Sequence, residues 1–194
     1  MTTRKEESPN VFVALLRGVN VGGNNMINMR SLKQSFENMG HTQVSTYINS
    51  GNIIFQTKQD DARKLERDIE KMLLKEYELD SKVVIRSLPE MAKLVKSLPQ
   101  SWGDNSDWRY NVMFLRHTVD SKKILADLPV KSDIEELVYR PGTLLWSVLA
   151  SEASRSNMVK VATKKIYKDM TVRNLNTTRK LYELMKKVAG AYVT

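Results

Sequence analysis

The periodic part of the chain opens with an apolar run, Val11, Phe12, Val13, Leu15 and Leu16, unrelieved by polar positions. Such a run over Asn10 to Arg17 predicts a strand buried on both faces. Glycines and asparagines follow from Gly18 to Asn25, a loop composition. Leu32, Phe36 and Met39 then recur at helical spacing behind Asn28, a good N-cap, and Gly40 supplies a stop. Gln43 to Ile48 and Ile53 to Gln56 read as two strands around Asn49-Ser50-Gly51-Asn52. Asp60 can cap the next helix, whose core stripe is Leu65, Ile69, Met72 and Leu73. Lys82 to Arg86 reads as a strand. Ser87 and Glu90 then have capping-box spacing, and that helix ends before Pro99. The order is strand, helix, strand, strand, helix, strand, the split βαβ pattern.

A polar stretch from Pro99 to Arg109, with Trp102, Gly103 and Trp108, interrupts the pattern. After it the order begins again. Asn111 to Arg116 predicts a strand, and Ser121 to Leu128 a short helix ended by Pro129. Ile134 to Tyr139 and Leu144 to Leu149 form a hairpin around Pro141-Gly142-Thr143. Ser154 to Tyr167 reads as a basic helix and Met170 to Arg173 as a short strand. A last helix runs from about Thr177 to Val188, with Asn176 as its cap. The hairpins match in detail: Phe55 follows Gly51 by four residues, as Trp146 follows Gly142. The fold class expected is therefore α+β: two tandem ferredoxin-like (split βαβ) units with an extra C-terminal helix. The first unit would be 1–98, the linker 99–109 and the second unit 110–194. A single mixed α+β sheet with helices on one face is the rival architecture.

Composition narrows the chemistry. Apolar residues are 41% and charged residues 27%, which excludes disordered and fibrous classes. There is no cysteine, so disulfides, thiolate metal sites and cysteine nucleophiles are all excluded. That usage fits a reducing cytoplasm. The polar start, Met1 to Asn10, has no apolar segment of a secretion signal. No apolar run approaches the ~20 residues of a membrane span. The two histidines, His41 and His117, are too far apart in sequence to make a helical metal pair, so no metal site and no cofactor is expected. The net charge is +9, and it is uneven. From Arg155 onward ten Lys and Arg face only Asp169 and Glu183. Such asymmetry points to an anionic partner, although a solvated basic surface explains it more simply.

Three clusters carry candidate chemistry. The first is Arg17 with Gly18, Asn20, Gly22 and Gly23, where a strand, a glycine loop and a helix start follow one another. That layout aims backbone N–H groups at a phosphate, though the spacing matches neither a P-loop nor a dinucleotide fingerprint. A wide turn needing glycine is the simpler explanation. The second is the hairpin tip, with Tyr47, Asn49, Ser50 and Asn52. Turns select these residue types for local reasons. Ser50 has no nucleophile elbow and no neighbouring histidine, so no catalytic residue is assigned. The third is Arg173, Asn174, Thr178 and Arg179, around the expected start of the last helix. Capping accounts for Asn176 and Thr177, but cations in a first turn oppose the helix dipole. Guanidinium groups there suit a phosphate or carboxylate. Nucleic-acid recognition usually adds aromatic platforms. Phe55 alone survives of the expected sheet signature, and Trp102 with Trp108 reads as a plug or a platform.

Three stretches carry a family resemblance: Leu15-Leu-Arg-Gly-Val-Asn-Val-Gly-Gly23, Thr46-Tyr-Ile-Asn-Ser-Gly-Asn-Ile-Ile-Phe55, and Thr171-Val-Arg-Asn-Leu-Asn-Thr177 with Arg179-Lys180-Leu181. Together they resemble the bacterial family called domain of unknown function 1697, over nearly the whole chain. Leu175 departs from it, standing where the family often has tryptophan. The resemblance implies a small cytoplasmic protein of duplicated ferredoxin-like architecture, and no established activity, cofactor or catalytic residue.

The expected function is a binding module for a phosphate-bearing ligand, a nucleotide or a nucleic-acid backbone, held by the three clusters. Two other classes stay open: an enzyme acting on a small anionic metabolite, and a protein-interaction or dimerisation module.

Overall fold

The computed structural model describes residues 9–20, 25–128, 130–161 and 163–190, without the side chains of residues 159 and 160. Gly22, Gly23 and the helix-ending Pro129 lie outside the described residues. The chain is a mixed α+β protein with two four-stranded antiparallel sheets and several helices. It divides into two compact units, one running to Ala92 and taking in the chain from Leu181, the other Lys93–Lys180.

In the first unit β1 (Asn10–Leu16), β2 (Thr42–Thr46), β3 (Asn52–Thr57) and β4 (Val83–Ser87) form a sheet in the order β2-β3-β1-β4. Helices α1 (Met29–Asn38) and α2 (Ala62–Tyr77) cover one face. Phe12, Ala14, Leu16, Ile53, Phe55, Val83 and Ile85 pack there against Leu32, Phe36, Ile69 and Leu73. The alternate residues Val13, Leu15 and Ile54 are buried too, so β1 is apolar throughout, as its sequence predicts. Asn28 caps α1, its side-chain oxygen accepting from Arg30 N (2.9 Å) and Ser31 N (3.2 Å). Asp61, not Asp60, caps α2. β4 is an edge strand, and α2 covers that edge chemically: Val83 N donates to Glu70 and Ile85 N to Glu66. The Ser87–Glu90 box forms as expected and opens α3 (Leu88–Ser97).

In the second unit β5 (Trp108–Leu115), β6 (Glu135–Arg140), β7 (Thr143–Leu149) and β8 (Met170–Asn174) take the order β6-β7-β5-β8, the first sheet's order repeated. Backbone bonds repeat as well. Leu16 N donates to Gly51 O (2.8 Å) and Leu115 N to Gly142 O (2.9 Å). Arg17 N donates to Lys82 O (3.1 Å) and Arg116 N to Asp169 O (2.9 Å). The helical layer differs. The short helix expected over Ser121–Leu128 is a 3-10 helix, Lys122–Asp127. The expected basic helix 154–167 is broken into a 3-10 helix Ala150–Arg155, the short α4 (Asn157–Val161) and a 3-10 helix Lys165–Asp169. The break has a cause: Ser156 O–H and Asn157 N both donate to Glu135, and Met158 N donates to Ser156 Oγ, so a new helix starts there. The β-branched Val159, Val161 and Thr163 give little propensity to carry it further.

The last helix, α5, is Leu175–Gly190 and begins before the expected Thr177. Asn174 rather than Asn176 supplies the cap, its Oδ1 accepting from Thr177 N at 2.7 Å. Arg179 and Lys180 therefore lie in the second turn, where the dipole's opposition to positive charge has largely faded.

Candidate functional site

Antiparallel pairing puts three segments at one end of the first sheet. β1 ends there, β3 begins there through the Leu15–Asn52 pair, and β4 begins there through Leu16–Val83. The loop after β1 and the β2–β3 turn are locked together by the Leu16–Gly51 bond. Gly51 adopts φ +67°, and a Cβ on it would stand 2.8 Å from Leu16 Cβ and 3.3 Å from Val19 Cβ. Only glycine meets both conditions.

The polar residues of this end divide into two kinds. Some are spent on the loop itself. Asn20, at φ 53°, accepts from Ile27 N (2.7 Å) and donates to Ile27 O (3.0 Å), imitating a strand partner. Asn25 Nδ2 donates to Gly18 O at 2.9 Å. The first-turn amides of α1 are likewise engaged by Asn28, so this helix start does not present them to a ligand. Asn52 is buried and donates to Tyr47 O, closing the turn. Of the others, Gly18 and Asn49 are exposed, and Arg17, Tyr47 and Ser50 are half-buried. Between Tyr47 and Asn49 stands Ile48 at φ 48°, a left-handed conformation that β-branched residues rarely accept, with half its surface exposed. Met26 is also exposed. Neither residue type hints, in sequence, at an unusual backbone or at exposure.

The third cluster belongs to the second unit and is largely framework. Arg173 is nine-tenths buried. Its Nη1 donates to Thr171 Oγ1 and Val172 O, both at 2.8 Å. Burial pushes its guanidinium down to about 10. That still leaves it charged at neutral pH. Asn174 is the α5 cap, and Thr178, fully buried, returns its hydroxyl to Asn174 O at 3.0 Å. Arg179 Nη2 donates to Trp102 O at 3.0 Å and so ties the 101–105 turns to α5.

Glu135 is the most enclosed acid of the second unit, and sequence alone gave no reason to single it out. Its carboxylate accepts from Ser156 O–H, Trp146 Nε1 (3.3 Å), Lys131 N (2.9 Å) and Asn157 N (3.1 Å). Burial works to raise it, but these four donors outweigh burial and hold it below the usual carboxylate range. Fully engaged in this way, it joins β6 to the start of α4. Among the described residues no group of three or more His, Asp or Glu is placed to hold a metal ion. No described helix is long and apolar enough to cross a membrane.

Two antiparallel sheets of one repeated strand order, with helices packed on them, define an α+β protein. The chain belongs to the family described as protein of unknown function (DUF1697), whose model matches residues 10–146. It is similar to a solved structure described as the conserved bacterial protein SP0830 from Streptococcus pneumoniae. The identity is 26% and the TM-score 0.79, over 91% of this chain and 99% of that one. No curated protein matches the sequence.

Proposed function

We propose that the protein is a binding module for a phosphate-bearing ligand, and that the first unit carries the site. The repeated backbone bonds and strand order support reading each unit as ferredoxin-like, two in tandem. Under that reading Arg17 and Arg116 are equivalent, and so are Lys82 and Asp169. One observation then carries the argument. In the second unit the arginine meets an acid, Arg116 Nη1 lying 3.6 Å from Asp169 Oδ1. In the first unit the same position supplies an ammonium group, Lys82. Two cations at adjacent strand ends, beside the Tyr47, Asn49 and Ser50 turn, form a surface that selects an anion. Glu70 and Asp80 lie 3.5 Å from Lys82 Nζ and offset much of the charge that the exchange brings.

Fluorescence anisotropy with labelled single-stranded DNA, at low and at physiological salt, tests the reading. Binding should weaken steeply with salt, because each phosphate contact releases counterions. Arg17→Ala and Lys82→Ala should each weaken it and lower the salt slope by about one. If DNA does not bind, equilibrium dialysis with ATP tests the nucleotide form. Absence of binding in both, or full binding by the double variant, would overturn the proposal.

A second reading has its own observation. Met26 and Ile48, 72% and 50% exposed, stand on loops at that same sheet end. Exposed apolar side chains there suit a protein interface. Sedimentation that shows a dimer, lost in Ile48→Asp, would favour it over anion binding.

A further inference from the structure

A second concavity, in the other unit, has the opposite electrostatic character. It is a cavity of about 320 Å³, near the lower limit of ligand pockets, roughly 300–1,000 Å³. Its floor is a cross-strand row: Tyr110 of β5 pairs with Ser147 of β7, which pairs with Glu136 of β6. Directly paired residues share a sheet face, and Trp108, two positions before Tyr110, shares it as well. The wall is the turn that carries Trp102 and Asp104. The Trp102 and Tyr110 ring centroids are 5.1 Å apart, the planes inclined by 39°. The Arg179 bond to Trp102 O holds this wall in place, and Gly103, at φ +100°, gives Arg179 the room to make it.

Asn105 Oδ1 accepts from Asp107 N at 2.8 Å, but four other polar groups of this cavity are not consumed by the fold. Ser147 is 3% exposed, yet its hydroxyl has no hydrogen-bond partner among the described residues. Trp102 is 7% exposed, and its indole N–H likewise has none. Neither atom is sealed from solvent, so each is open to a partner within the cavity. The Asp104 and Glu136 carboxylates are exposed at the cavity mouth and have neither an ion-pair nor a hydrogen-bond partner among the described residues. This occurs in a chain of net charge +9, where cations to neutralise them are abundant. Aromatic faces and carboxylates attract the same kind of group, a cation, and both repel an anion.

We propose that this cavity binds a small organic cation, a molecule carrying a protonated amine or a guanidinium. Its charge faces the Asp104 and Glu136 carboxylates, its carbon frame lies on the rings of Trp102, Trp108 and Tyr110, and Ser147 Oγ accepts one of its N–H groups. The site is distinct from the anion surface of the first unit in position and in sign, so neither proposal stands or falls with the other.

Tryptophan fluorescence, with calorimetry as a second readout, tests this on the full chain, titrated with agmatine and with cadaverine. The neutral control is 1,5-pentanediol and the anionic control glutarate. Saturable binding of an amine, with no response to either control, is the expected result. Asp104→Asn and Glu136→Gln are surface changes that leave the core intact; each should weaken binding about fivefold or more, and the pair should abolish it. Trp108→Leu should weaken it as well. N-acetyl-lysine methylamide separates a free amine from a lysine-bearing peptide as the source of the charge: tighter binding of this probe assigns the site to peptide. No saturation by either amine at about 20 mM, a Kd too weak to be specific, would overturn the proposal. So would equal binding of the diol, or undiminished binding by the double variant.

Discussion

The His41 ring lies 4.5 Å from the Phe55 ring, centroid to centroid, and inclined to it by 40°. Phe36 approaches from another side at 5.9 Å. Neither ring nitrogen of His41 has a hydrogen-bond partner among the described residues. The histidine is thus a neutral filler of an aromatic core. Burial lowers its pKa below the usual 6.5, with a smaller opposing pull from Asp68.

That environment predicts a pH dependence. Between the lowered folded value and 6.5 the unfolded chain binds a proton that the folded chain does not, so stability rises with pH across this window. The contribution is complete above the unfolded value and is lost as pH falls below it. The urea midpoint should therefore drop between about pH 7.5 and about pH 5.5, and His41→Phe should flatten the drop. An equal drop in the variant would refute the assignment.

Gly51→Ala should destabilise the chain by about 2–4 kcal/mol, the combined cost of a left-handed alanine and of overpacking. The added methyl has backbone-fixed neighbours, since the close atoms are the Cβ atoms of Leu16 and Val19. Gly40→Ala is the control: nothing lies within 4 Å of its added Cβ, so it should lose only the conformational part. Urea unfolding of the two variants separates packing from backbone strain.

Glu135→Gln keeps the shape but turns one acceptor oxygen into a donor, facing four donors that already converge there. A loss of about 2–3 kcal/mol is expected. The wild-type carboxyl titrates below its unfolded value, so its contribution is present above that value and fades as pH falls through the folded one. The variant should lack that acid-side slope, and amide exchange at Asn157 should quicken.

Arg173→Ala should cost about 2–4 kcal/mol, through lost donors to Thr171 and Val172 and through the void left by a nine-tenths buried side chain. Arg17→Ala should cost less, because Arg17 is only half-buried and its backbone bonds, N–H to Lys82 O and carbonyl from Ser81 Oγ at 2.7 Å, survive the substitution. Thermal melts of the two variants should differ accordingly. Equal losses would show that arginine burial does not separate framework from surface here.

Local chemistry was legible wherever partners lie a few residues apart. Asn28 before α1, the Ser87–Glu90 box and the two glycine hairpins need only near neighbours, and all three are present. The basic stretch 154–167 misled because its helical period is real, but Glu135, about twenty residues earlier, intervenes at Ser156 and Asn157. Asn174 and Asn176 are equally good caps on paper; the end of β8 selects the first.

The candidate sites follow the same division. Composition alone marked Gly18, Asn20, Asn49 and Ser50 as loop residues, and the +9 charge as uneven. Only tertiary structure decided that Asn20 serves its own loop, that Arg173 is buried, and that Asp104 and Glu136 share a cavity with tryptophans. The reason is physical. Turn and cap preferences are set by bonds within a few residues, and a sequence displays those directly. Burial and charge pairing are set by strands brought together across the sheet, as Tyr110, Ser147 and Glu136 are, and sequence distance carries no trace of that register.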